Sequence, residues 1–171
     1  MTNSLIILGQ LNDYDVEWLI ENGVNEAKTK GDVLIKQGIA IEMIYIILKG
    51  DFDVIDDVSN HKLAKVGPGE ILGEMSFIDA NPPSATVIAN EEAIVHAINK
   101  TTVNDKIKDD AQFAIRFYKA IATLLSDRLR TAILKARGES DKAEDLDLEV
   151  LDKVSLAGSR FDTIVKRFLT E

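Results

Sequence analysis

Between Val24 and Ile98 no apolar run goes far before a turn former interrupts it. The runs "DVLIKQG", "MIYIILKGDFDVIDD", "HKLAKVGPG", "SATVIA" and "AIVHAIN" are short, β-branched or alternating, and Gly, Pro, Asn and Asp separate them. A chain punctuated at this interval cannot build long helices there. It folds as an antiparallel sandwich or barrel. One stretch, "GEMSFID", does not alternate and predicts about two helical turns.

Helical patterning flanks this β region. From Asn12 to Gly23, a cap at Asn12 or Asp13 precedes Val16, Leu19 and Ile20 on one face with Trp18 beside it, and Gly23 suits a left-handed stop. The strand pattern ends after Lys100. From Asp109 to Arg137 an acidic cap leads into a stripe of Phe113, Phe117, Ala120, Ile121 and Leu124, widened by Leu125 and Leu129, and Gly138 closes it. That face is wider than a lone surface helix needs, so it predicts packing on the β region, pairing with a second copy, or both along different parts. An acidic linker follows. Leu151, Val154, Phe161, Val165 and Phe168 then recur at helical spacing, which predicts a second amphipathic helix over 144–170, bent at Gly158.

Charge removes one large class of function. With 20 Lys and Arg against 29 Asp and Glu, a net charge of -9 and a pI near 4.8, the chain repels a polyanion, and no nucleic-acid partner is expected. Absence of cysteine removes disulfides, thiolate metal sites and cysteine nucleophiles, and suits a reducing compartment. The opening "MTNSLIILGQLND" lacks a basic leader, and no stretch approaches eighteen uninterrupted apolar residues. The expectation is a cytoplasmic protein with no membrane partner.

Residues 69–89, "GEILGEMSFIDANPPSATVIA", contain no Lys or Arg. Taken with Gly31 and Gly38 at turns and a strand broken at Gly50, the sequence of Gly73 and Glu74 followed ten residues on by Ser84, Ala85 and Thr86 closely resembles the cyclic nucleotide-binding domain family, over roughly residues 10–137. The resemblance implies a mainly β fold with helices, an antiparallel β-roll or jelly roll flanked by an N-terminal helix and a long C-terminal helix. It also implies a sensor domain like that of the bacterial catabolite regulators. In such a domain Gly73 lets the backbone approach the ligand, the helix that starts with Glu74, Met75 and Ser76 turns its free N–H groups on a cyclic phosphate, and Glu74 accepts from the ribose 2'-hydroxyl. A helix N-terminus is an anion site on physical grounds alone. Ser84, Ala85 and Thr86 match positions beside the phosphate.

Pro83 departs from the pattern, because the family places there the arginine that pairs with the phosphate. Losing one charge-assisted contact of about 1.5–3 kcal/mol weakens a cyclic nucleotide by roughly tenfold to a hundredfold or more. The polar pair with which the bacterial regulators cover the base falls on Ala132 and Ile133, next to Thr131. An apolar lid reads a base poorly.

Other motifs are set aside. Gly67, Gly69 and Gly73 give a spacing that misses the dinucleotide fingerprint, and there is no Walker lysine. His61 and His96 have no partner motif, and Asp56 and Asp57 beside Ser59 and Asn60 read as a hairpin turn. No catalytic residue, metal site or cofactor is expected. From Gly138 to Glu171 there is no room for a reader helix and wing of roughly 60–80 residues, so a DNA-binding domain is not expected. The chain divides into a roll with its opening helix (1–108), a long helix (109–137) and an acidic linker with an amphipathic helix (138–171). Two functions remain open: a sensor of a cyclic nucleotide or other anionic ligand, dimeric through 109–137, or a degenerate domain that serves as a structural or protein-interaction module, with 144–170 as a docking face.

Overall fold

In the computed structural model, which describes residues 8–138, 162–163 and 165–170, the β pattern folds as two four-stranded antiparallel sheets. The chain enters through helix α1 (Asp13–Glu21), capped by Asn12. The Asn12 side chain accepts from the Asp15 N–H at 2.9 Å and the Asp15 carboxylate accepts from the Asn12 N–H at 3.0 Å, a reciprocal box that satisfies two helix-end donors. Strands β1 (Gly23–Lys28), β2 (Val33–Ile35), β3 (Met43–Lys49), β4 (Phe52–Asp56), β5 (His61–Val66) and β6 (Ile71–Leu72) follow. Then come helix α2 (Glu74–Asp79), strands β7 (Thr86–Ala89) and β8 (Ala93–Asn99), and helices α3 (Lys100–Asp109) and α4 (Ala111–Ala136). One sheet has the order β1-β8-β3-β6 and the other β2-β7-β4-β5.

Period-two alternation sorts β3 and β8 between two apolar layers. Ile44, Ile46 and Leu48 of β3 and Ile98 of β8 face the helices. Ile47 and Val95 point the other way and close the space between the sheets with Leu34, Ile35, Phe52, Leu72 and Val87. The helical layer is filled by Leu19, Val103, Phe113, Phe117, Ala120, Ile121 and Leu124, so the long-helix stripe packs on its own roll over its first four turns. Aromatic contacts fix its seat: Phe113 stacks on Phe117 at 5.3 Å, Trp18 meets Phe113 edge-on at 5.4 Å, and Phe77 of α2 meets Phe117 at 5.7 Å.

Three expectations change. The long helix is preceded by a separate helix, α3, and its cap is Asp110 rather than Asp109, with the Asp110 carboxylate accepting from the Phe113 N–H at 2.9 Å. Gly23 does not end α1, because Asn22 takes that place and Gly23 opens β1. The reason for glycine is close approach: a Cβ there would lie 2.2 Å from His96 Nε2. Leu129 does not extend the buried stripe; it is exposed. Of the predicted 144–170 helix, residues 165–170 are helical, and Leu151, Val154, Gly158 and Phe161 lie outside the described residues. Phe168 is buried in the helical layer with Leu8, Leu11 and Leu19, so this part of the tail packs on its own domain.

Candidate functional site

The cavity beside α2 is built by the left-handed turn at Gly73. Its φ of +86° and the position of the Met43 carbonyl, 2.8 Å from where a Cβ would sit, both require glycine, and the turn aims α2 along the edge of the cavity. Glu74 opens the helix and is 2% exposed. Beyond α2, the Pro83 carbonyl accepts from the Gly38 N–H at 2.9 Å, which brings the two loops together before β7 begins.

The cavity holds about 380 Å³, within the range of small-molecule sites. Gly73, Glu74, Met75, Ser76, Pro83, Ser84 and Ala85 line it, as do Thr131 and Ala132 of α4. Two expected residues fall elsewhere. Thr86 is 1% exposed, and its hydroxyl accepts from the Gln37 N–H at 3.0 Å and donates to Asp57 at 2.8 Å, so it binds the turn after β4 to the loop after β2 instead of facing a ligand. Ile133 is turned outward and is 43% exposed, because it stands one residue past the α4 face that carries Arg128, Thr131 and Ala132 over the cavity. Apolar walls come from Ile35, Ile41, Val54, Leu63, Val66 and Leu72.

A cation reaches the cavity after all, and from another element. Arg128 of α4 donates from one terminal nitrogen to Glu74 Oε1 at 2.5 Å and from the other to the Ile71 carbonyl at 2.9 Å, with Glu70 Oε1 at 3.8 Å. Glu70 is itself held by the Gly67 N–H at 2.8 Å. Sequence reasoning missed Arg128 because it sought the charge within residues 69–89. The signal was present: Arg128 continues the Phe117, Ile121, Leu124 face by four residues, and a guanidinium on a buried stripe needs an acid opposite. Lys65 and Lys135 also line the cavity, and Lys65 pairs with Asp51 at 2.7 Å.

Residues 26–110, which include the glycine-turned short helix with a buried glutamate at its start, match the sequence pattern of a known family, the cyclic nucleotide-binding domain. The chain carries a cyclic nucleotide-binding domain. A cAMP-dependent protein kinase regulatory subunit of Eremothecium gossypii is 30% identical over 91 residues, which is 53% of this chain and 19% of that protein. A cGMP-dependent protein kinase of Eimeria tenella is 29% identical over 104 residues, 60% of this chain and 10% of that protein. The match thus spans about a fifth or less of these curated relatives. Among solved structures, a cyclic nucleotide-binding domain from Methylobacillus flagellatus aligns with a TM-score of 0.68 at 25% identity, covering 75% of this chain and 77% of that one. The catabolite activator protein of Thermus thermophilus aligns at 0.66 and 22% identity over 96% and 85%.

Chemically, this cyclic nucleotide-binding domain offers backbone donors and a carboxylate at one end of the cavity, aliphatic walls, and a guanidinium from above. Among the described residues there is no cluster of three His, Asp or Glu that would hold a metal ion, and no helix is long and apolar enough to cross a membrane.

Proposed function

We propose that the cavity binds a cyclic nucleotide or a related organic anion and that α4 reads its occupancy, with no chemistry performed on the ligand. The observation that carries this reading is the ion pair between Glu74, on the ligand-binding helix, and Arg128, on the long helix. A ribose hydroxyl that hydrogen-bonds Glu74 competes with Arg128 for the same carboxylate, and a ligand anion competes with Glu74 for the guanidinium. Either contact changes what holds α4 over the roll. Pro83 supplies no charge to a phosphate, so affinity is expected to fall below that of a domain with arginine in its place.

The long helix also supports a dimeric sensor. Ile115, Tyr118, Leu129 and Ile133 of α4 are exposed at spacings of three, eleven and four residues, an apolar line on the side away from the roll that suits a second copy. Calorimetric titration with cyclic AMP, cyclic GMP and a cyclic dinucleotide tests the ligand. Binding of any of them at micromolar to millimolar affinity supports the sensor.

One observation favours the second reading, a protein-interaction module that works without nucleotide: Glu74 already has a full partner in Arg128. Absence of heat with all three ligands, together with a defined protein complex that survives Glu74→Gln, would establish that alternative.

A further inference from the structure

On the sheet face away from the nucleotide cavity, a second hollow is lined by Ile20, Gly23, Val24, Asn25, His96 and Phe168. Asn25 and His96 stand opposite each other on β1 and β8. The directions of three hydrogen bonds meeting there are fixed by which atoms can donate. His96 Nε2 lies 2.9 Å from the Leu19 carbonyl, which only accepts, so Nε2 carries a hydrogen. Asn25 Nδ2 donates to the carbonyl of Phe168. The amide oxygen of Asn25 therefore faces the ring, 2.8 Å from His96 Nδ1, and an amide oxygen also only accepts. With acceptors on both sides, all three contacts are satisfied only by an imidazolium with a hydrogen on each nitrogen.

A neutral ring breaks the set. Its bare Nδ1 calls for the Asn25 NH2, and turning the amide to provide it sets Oδ1 against the Phe168 carbonyl oxygen. We propose that docking of the terminal helical segment 165–170 onto the roll is coupled to proton uptake by His96, so that the chain carries a histidine latch that holds this segment more firmly as pH falls.

The surroundings fit such a latch. With the segment docked, burial pushes the His96 pKa below the ordinary 6.5, against the opposing pull of the Leu19 carbonyl. The Asn25 oxygen, turned to Nδ1 by the bond from Asn25 Nδ2 to the Phe168 carbonyl, works against that burial. The charged groups on neighbouring elements are engaged with one another. Glu17 of α1 takes Arg167 of the terminal segment at 2.6 Å, and Glu26 takes Lys28 within β1 at 2.8 Å. Glu21 of α1 and Lys166 of the segment make no hydrogen bond to the ring, and β3 sets Ile46 across from it. The Phe168 ring stands edge-on to the imidazole at 4.4 Å. The latch requires the Asn25 oxygen to outweigh the burial that the Phe168 ring adds. Docking then raises the affinity of His96 for a proton, and the latch is full below the undocked pKa and is lost as pH rises through the docked one.

The test is an imidazole 15N titration of the full chain, with His61 of the β5 hairpin as internal reference, on the wild type, Phe168→Ala and Arg167→Ala. Amide exchange at 165–170 is followed from about pH 5 to about pH 8. The expected result is a His96 midpoint at least about one unit lower in Phe168→Ala, a tenfold loss of proton affinity, with a smaller drop in Arg167→Ala and wild-type protection at 165–170 that fades as pH rises. Should Phe168→Ala fail to fold, Arg167→Ala, which alters only an exposed pair, decides. Equal midpoints in all folded proteins, or a neutral His96 ring while 165–170 stay protected, would overturn the latch.

Discussion

Arg116 grips Asp15 with two nitrogens, Nε at 2.6 Å and a terminal nitrogen at 2.8 Å, and so joins the first helix of the domain to the long one. The Asp15 side chain is 3% exposed, and the same carboxylate closes the capping box with Asn12. Burial works against its charged form, but the Arg116 hydrogen bond and the Asn12 N–H outweigh it, and its pKa lies below the ordinary 3.8. A lowered carboxylate pKa gives stability that is complete above the unfolded value and vanishes as pH falls through the folded one. Asp15→Asn is therefore expected to melt below the wild type at pH 7, with the gap closing as pH drops below 3.8. Thermal melts across that range check it.

Arg128→Ala leaves Glu74 buried without its cation, and one-sided removal of a partner from a buried pair is strongly destabilising. Because Arg128 is 28% exposed, a loss of about 2–3 kcal/mol is expected, at the lower edge of that class. The double variant Glu74→Gln, Arg128→Met should regain most of it. Urea denaturation of the three proteins gives the comparison.

Pro83→Arg is expected to strengthen cyclic nucleotide binding by about tenfold or more, the return of one charge-assisted contact. The variant restores charge beside Ser84 and Ala85, which already line the cavity. Calorimetry showing a folded variant with unchanged affinity would mean that the Arg128–Glu74 pair, and not the missing charge, sets the limit.

Leu129→Glu is expected to break a dimer and leave the fold intact, since Leu129 is 63% exposed on α4. Leu124→Glu should unfold the domain, because Leu124 is 0% exposed within the helical layer. Light scattering and melting on the pair separate the outer face of the helix from the inner one. An unchanged dimer mass in Leu129→Glu would put the interface elsewhere.

Gly73→Ala is expected to cost about 2 kcal/mol or more, from left-handed strain and the collision with the Met43 carbonyl. Gly38→Ala, where nothing lies within 4 Å, should cost only the strain of its positive φ, about 1–2 kcal/mol. Stability of the two variants distinguishes a close approach from a turn.

Local chemistry made much of this readable. Alternation in β3 and β8, the Asn12 cap and the cassette glycines act within a few residues, so the β-roll, α1 and α2 were legible without a structure. What escaped was long-range. Arg128 meets Glu74 across 54 positions, and the Thr86 hydroxyl turns to Asp57 across 29. No local pattern says which way a threonine beside a candidate phosphate site will donate. The α3 helix was missed for a different reason: "KTTVNDKIKD" buries only Val103, so it lacks the apolar stripe by which helices are found.

The 26 residues of α4 make it a rod of about 39 Å at 1.5 Å per residue, seated at one end by Phe113 and Phe117 and touching the cavity through Arg128 farther along. Such a rod multiplies displacement. A tilt of about 5° around Phe117 carries the far end, Ala136, through about 2.5 Å, while the shift at Arg128 stays near about 1.5 Å. Contacts a single ångström wrong at Glu74 thus arrive at the distal turn as a change large enough to misalign any surface packed there, and the domain needs no loosening of its sheets to transmit it.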